Sequence, residues 1–426
     1  MIWCAALFLT GLLIRLIYLH AQDIAIQRND AQEYVALVRN LAQGLGFTDD
    51  GSTPSTYRPP LFAWLLAAWC SFSGSTSLGT MIAFQVFVQS LAAPLTFLLA
   101  EKAQRSHRWS VAGGLFMATN PFFISNVDVV LQEPTQLLVA TLIAMTLIDW
   151  CGRPTRGRAL VAGLLLGIGV LAKSPFLLGL VIVLLVGGLG RDYRRQLPLG
   201  QIAWACATVL LVVLPWTVRN YRVSGGRFIP VNSQNVTFPI WLVADGKFYV
   251  RESLAEPPRP APTFKQGLAF TYGNQDGIDV LMRRNDQLLE DGVSGPSVSE
   301  DLASASRWYL LTHPAYLTKI ALRGTILLFS PDAGARLTPF LTARIAAMVL
   351  FHLPLALGLI AGTRRALREK NAALAVLALF TIAYLAVHAP GVVGGGRYSV
   401  PMLSVLIAIT GYGVWGALGR HPRPSP

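Results

Sequence analysis

GLLLGIGVLAKSPFLLG, residues 163–179, decides the fold. It is apolar on both sides of a single charge, Lys173, and reads as two membrane spans, 158–173 and 174–190, meeting at a tight corner. A helix needs about 20 mostly apolar residues to cross a bilayer, and apolar runs of 16–25 residues recur along the chain. The others are 1–20, 77–101, 108–126, 133–150, 199–217, 338–361, 372–389 and 400–418, which makes ten spans. Of 426 residues, 53% are hydrophobic and 13% are charged; soluble domains carry about 25% charge. The fold class is an all-α polytopic membrane protein, and a soluble class is excluded.

The net charge of +13 does not point to nucleic acid. The basic residues sit in short loops between spans: Lys102, Arg105 and Arg108; Arg153, Arg156 and Arg158; Arg191, Arg194 and Arg195; Arg364, Arg365, Arg368 and Lys370. That bias marks cytoplasmic loops. Cys4, Cys70, Cys151 and Cys206 lie in or beside apolar segments without metal spacing, and read as small buried residues. The N-terminal run has no basic n-region and no clear cleavage site, so it reads as a retained first span.

The expected organisation is a transmembrane module over 1–217, an extracytoplasmic loop region over 218–337, and C-terminal transmembrane helices over 338–426. The middle region contains the irregular stretch AEPPRPAPT, and a helical segment, 300–330, made amphipathic by Lys319 and Arg323. The first external loop is 21–58. The segment PPLFAWLLAAWCSFSG, 59–74, is expected to be re-entrant or juxtamembrane. If it crossed fully, with the N-terminus inside, the basic loops up to Arg195 would lie outside, against the positive-inside bias. With it not crossing, loops 21–58 and 126–133, the Lys173 corner and 390–399 share the external side with 218–337.

The chemistry-bearing residues fall on those external segments. Asp30, Glu33 and Tyr34 share one helix face. One reading is a capping box, with Asp30 as N-cap and Glu33 returning from N3; the other is a catalytic acid opening a surface helix. Asp128 and Glu133 follow in NVDVVLQEP, where Glu133 either complements a helix dipole or faces a polar cavity. Lys173 either snorkels or meets an anion such as phosphate. PWTVRNYRVSG supplies Arg219, Asn220 and Arg222, and GGGRYSVP supplies Arg397 and Tyr398 after a glycine run. Three basic clusters on one face suit phosphate recognition.

YRPPLFAW, NPFFISN with its following glutamate, LLLGIGVLAKSPF, PWTVRNYRVSG and GGRYSVP, in this order, resemble integral-membrane glycosyltransferases of the GT-C class. The likeness is to the glycosyltransferase 39, dolichyl-phosphate-mannose-protein mannosyltransferase-like branch, related to the aminoarabinose transferases of lipid A. It spans about residues 10–240 and 385–405. It implies a GT-C fold of about 10–11 transmembrane helices, with juxtamembrane helices in the first external loop. It also implies transfer, usually with inversion, of a sugar from a polyprenyl-phosphate donor to a lipid, glycan or protein acceptor outside the membrane. Asp30 maps onto the general base, Glu133 onto a second acid, and Lys173 onto the donor phosphate, with Arg58, Arg219 and Arg397 as further phosphate ligands. Tyr34, Tyr57, Asn220 and Tyr398 are the candidate substrate contacts. Aminoarabinose-transferase relatives place a metal-site glutamate where Tyr57 stands, so a divalent metal is left open, with Glu33 as its candidate replacement. The rival classes are a lipid or solute transporter, or a noncatalytic envelope-assembly subunit. Against the transporter, the span interiors are nearly free of charge, with Arg15 the main exception.

Overall fold

The apolar runs become helices because backbone in an apolar surrounding must bond to itself. A computed structural model describes residues 2–21, 30–104, 106–124, 126–244, 274–328, 348–391 and 396–417. The irregular stretch 255–263, residues 338–347 of the span expected at 338–361, and the side chain of Arg397 lie outside the described residues. The helices are α1 (Ile2–His20), α2 (Asp30–Ala42), α3 (Pro60–Phe72), α4 (Leu78–Gln104), α5 (His107–Thr119), α6 (Pro121–Ile124), α7 (Glu133–Gly152), α8 (Arg156–Ala172), α9 (Leu177–Leu189) and α10 (Leu199–Val223). They continue with α11 (Gln234–Val243), α12 (Gln275–Glu290), α13 (Pro296–Thr312), α14 (Pro314–Leu328), α15 (Leu353–Arg368), α16 (Ala372–His388) and α17 (Leu403–Ala417). Among the described residues there is no strand, only an isolated bridge between Thr48 and Pro54.

Four helices, α1, α4, α7 and α10, are at least 18 residues long and apolar enough to cross a membrane. The spans expected at 108–126 and 174–190 are shorter as helices, 13 residues each. In the first, Pro121 stops the helix at Asn120. In the second, an extended Lys173 (φ −167°, ψ 129°) and a 3-10 turn over Ser174–Phe176 consume the corner before α9 begins. The single amphipathic helix expected at 300–330 is two helices, broken at His313 ahead of Pro314. The packing of α8 on α10 needs glycine. A Cβ on Gly163 would lie 2.6 Å from the Ala205 carbonyl oxygen, and one on Gly167 would lie 2.8 Å from the Val212 side chain. This is close approach through small residues four apart.

Helix direction sorts the loops into two ends. α1 and α4 are antiparallel: Trp3 meets His107 at 5.9 Å just beyond the end of α4, while Tyr18 and Leu19 pack beside Leu78 and Ile82 at its start. α2 and α3 pack on the start of α4 through Met81 and Phe84, and so lie at the end of the bundle where α1 closes. At the other end Lys102 pairs with Asp149 (2.6 Å), Lys370 pairs with Asp192 (2.9 Å), and the Gln196 side chain donates to the Lys370 carbonyl (2.8 Å). The basic loops around Lys102, Arg153, Arg191 and Lys370 thus gather on one face. The opposite end collects α2, α3, residues 126–133, the Lys173 corner, the close of α10 and the start of α17. Its core is Tyr34, Leu37 and Val38 from α2, Phe62 and Leu66 from α3, Met81 and Phe84 from α4, and Trp216 from α10.

Candidate active site

The site begins with the amphipathic pattern of α2. Ala31, Tyr34, Leu37 and Val38 are buried, which leaves Asp30 and Glu33 along the rim of the apolar stripe in the first turn. Across from them, Pro59 and Pro60 fix the entry to α3, since a residue before proline is held extended. Arg58 is therefore projected towards α2. Its Nη2 donates to Asp30 Oδ1 and its Nε to Glu33 Oε2, both at 2.7 Å. The guanidinium carbon lies 5.3 Å from the centre of the Tyr34 ring and 5.1 Å from that of Tyr57, within cation–π range. Nη1 reaches Gln234 Oε1 at 3.4 Å.

Burial separates the three charged groups. The Arg58 side chain is 2% exposed, that of Asp30 28% and that of Glu33 41%. Desolvation would weaken the Arg58 charge, but Asp30, Tyr34 and Glu33 together hold its pKa well above the ordinary value. Glu33 moves up as well: burial is the largest cause, and the charges of Asp30 and Asp49 add to it against the pull of Arg58. One guanidinium thus serves two carboxylates, and the Glu33 carboxyl is held above its ordinary value. The capping-box expectation fails at Glu33, whose carboxylate is bonded to Arg58 rather than returned to the helix backbone.

Glu133 opens α7 just before Pro134 and is 4% exposed. It lines a small cavity with Phe123, Asn126, Leu131 and Val400. Two fully buried tyrosines, Tyr34 and Tyr384, have hydroxyls with no hydrogen-bond partner among the described residues. Tyr384 continues the row: its ring stacks on His388 at 4.3 Å, His388 lies 5.9 Å from Tyr398, and Lys173 Nζ sits 5.1 Å from the Tyr398 ring centre. His388 Nδ1 donates to the Tyr384 carbonyl (2.7 Å), which orients the imidazole.

Other expected site residues have a different setting. Arg58 was expected at the donor phosphate, but the structure turns two of its nitrogens to carboxylates instead. Arg219 donates to the carbonyls of Ser55 (2.5 Å) and Phe47 (3.3 Å) and packs over Phe47 and Trp216. It fastens the first loop to the end of α10 through those two carbonyls. Asn220 is buried, donates to the carbonyls of Ile229 (3.1 Å) and Val231 (3.0 Å), and accepts from Arg219 (3.1 Å). It braces that turn. The sequence reading missed Tyr384 and Gln234. Tyr384 lies inside an apolar helix where periodicity marks only core, and Gln234 has no local signal at all.

Residues 57–224 match the family model described as dolichyl-phosphate-mannose-protein mannosyltransferase. The match includes Arg58, Glu133 and Lys173 and begins after α2. The chain also superposes on the Archaeoglobus fulgidus oligosaccharyltransferase complex with Zn and sulfate, at TM-score 0.57 and 13% identity, covering 98% of this chain and 49% of that one. The chain has the GT-C fold. A second A. fulgidus structure, the oligosaccharyltransferase AglB with an inhibitory peptide and a dolichol-phosphate, aligns at TM-score 0.55 and 13% identity over 99% of this chain and 53% of that one. ArnT from Cupriavidus metallidurans bound to undecaprenyl phosphate aligns at TM-score 0.44 and 15% identity, over 97% and 78%. This GT-C chain spans about half the length of the archaeal structures it matches. No curated protein sequence matches it.

Proposed function

We propose that this integral membrane protein is a glycosyltransferase that moves a sugar from a polyprenyl-phosphate donor to an acceptor hydroxyl on the extracytoplasmic side. The observation that carries the reading is the meeting of two carboxylates on a buried guanidinium at the same end of the bundle as Lys173. The basic loops lie at the opposite end, which the positive-inside bias assigns to the cytoplasm. The match to the mannosyltransferase family model and the dolichol-phosphate held by the archaeal neighbour support a polyprenyl-linked donor. A bacterial inner membrane is the proposed location.

Asp30 takes the proton of the acceptor hydroxyl while the acceptor oxygen bonds to the anomeric carbon. The bond from that carbon to the phosphate oxygen breaks, its electron pair leaves with the phosphate, and polyprenyl phosphate is released. A positioned base contributes typically ~10²–10⁴-fold. Lys173 stabilises charge growing on the departing phosphate, in the manner of a preorganised donor. Attack opposite the leaving group inverts the anomeric centre. One observation favours a second assignment, Glu33 as the base: its carboxyl is raised above the ordinary value, and it is the more exposed of the two.

The test is a transfer assay with purified, detergent-solubilised protein and a panel of polyprenyl-phosphate sugars, read as release of polyprenyl phosphate. Release with at least one donor, lost on Asp30→Asn, is the expected result. No release from any donor, with membrane acceptors supplied, overturns the proposal.

A further inference from the structure

The fold neighbour crystallised with Zn raises the question of a divalent cation at the acidic pair of α2. Two carboxylates one helical turn apart are the first requirement of such a site, and a charge between them is the second. That position is filled by protein. Arg58 Nη2 and Nε reach Asp30 and Glu33 at 2.7 Å each, from a side chain 2% exposed. Tyr34 and Tyr57 hold the guanidinium between them, and Gln234 accepts from the third nitrogen. Asp49 acts on Glu33 only at a distance. A divalent ion would have to displace that guanidinium to reach both carboxylates. The residues present do not fit a metal.

We infer that Arg58 is the built-in cation of the Asp30–Glu33 pair, and that this site takes no divalent metal. The planar guanidinium presents two parallel donors to two carboxylates, a match a spherical ion makes only with further ligands. Tyr57 belongs to the same device: its ring lies against the guanidinium at the position next to Arg58 in the chain. The inference concerns the site of the proposed reaction, but its test does not depend on turnover.

The probe is Mn²⁺, read by electron paramagnetic resonance on the full-length protein in detergent. The wild type, freed of metal by a chelator, is expected to bind no stoichiometric Mn²⁺ below ~1 mM, the range of weak calcium-type sites. Arg58→Ala, checked for folding by circular dichroism and gel filtration, opens the pair and is expected to take up one Mn²⁺. Adding Asp30→Asn should abolish that uptake. Stoichiometric Mn²⁺ on the wild type, lost in Asp30→Asn, overturns the inference. So does a folded Arg58→Ala that binds none, since the guanidinium would then not occupy a cation's place. Should Arg58→Ala fail to fold, the wild-type arm still decides. Transfer activity, where detected, is expected to survive chelation unchanged; loss restored by Mn²⁺ or Zn²⁺ overturns the inference and leaves the glycosyltransferase reading standing.

Discussion

Replacing Asp30 by Asn removes a charge while keeping an oxygen where Arg58 Nη2 donates at 2.7 Å. The structural cost is the difference between a hydrogen bond to a charged acceptor, roughly 1.5–3 kcal/mol, and one to a neutral acceptor, roughly 0.5–1.5 kcal/mol. That is about 1 kcal/mol, and Arg58 keeps Glu33 as an ionic partner. The chemical cost is larger. Loss of a general base takes ~10²–10⁴ from the rate, or about 3–5 kcal/mol of barrier. Asp30→Asn should therefore stay folded, with a modest fall in Tm, and lose turnover at least ~100-fold. Single-turnover transfer at saturating donor measures this, with donor binding followed separately. Turnover above about a third of wild type would refute Asp30 as base, because no general-base contribution is that small. If Glu33→Gln then shows the deep loss, the base is Glu33; if both variants turn over normally, the acid to examine is Glu133.

Three further outcomes follow from the geometry. Glu33 has a raised pKa, so its contribution to stability is present below the ordinary carboxylate value and declines as pH rises through the raised one; Glu33→Gln removes this decline, and thermal melts should show the variant gaining on wild type from pH 4.5 upward. Lys173→Ala should weaken donor binding strongly, since a charge-assisted phosphate contact is worth roughly 1.5–3 kcal/mol, with Lys173→Arg retaining part; unchanged donor affinity in a titration would remove Lys173 from the phosphate. Asn220→Ala should lower Tm by removing the donor to the Ile229 carbonyl, at about 1–3 kcal/mol, while the Val231 carbonyl keeps Trp216 Nε1 as its donor and the folded fraction keeps normal donor affinity in the same titration.

The GT-C fold and its membrane class were legible from sequence because each span is a local property. Apolar length and composition are written into contiguous residues such as 163–179. The Lys173 corner and the helix opening at Asp30 follow from neighbours in the chain. The use made of the charges is not local. Arg58 reads as a phosphate ligand beside Pro59, yet its partners lie 25 and 28 residues upstream on another helix. Arg219 and Asn220 read as an external cationic cluster, but they face backbone carbonyls because the loop at 47–55 and the turn at 229–231 fold over them. Tyr384 is one apolar residue among many until the fold sets its ring against Phe176 at the Lys173 corner. A hydrogen bond depends on which helix faces which, to within a few tenths of an ångström. Periodicity tells which side of a helix is buried, and only the packing of α2, α3, α7 and α16 determined what that side meets.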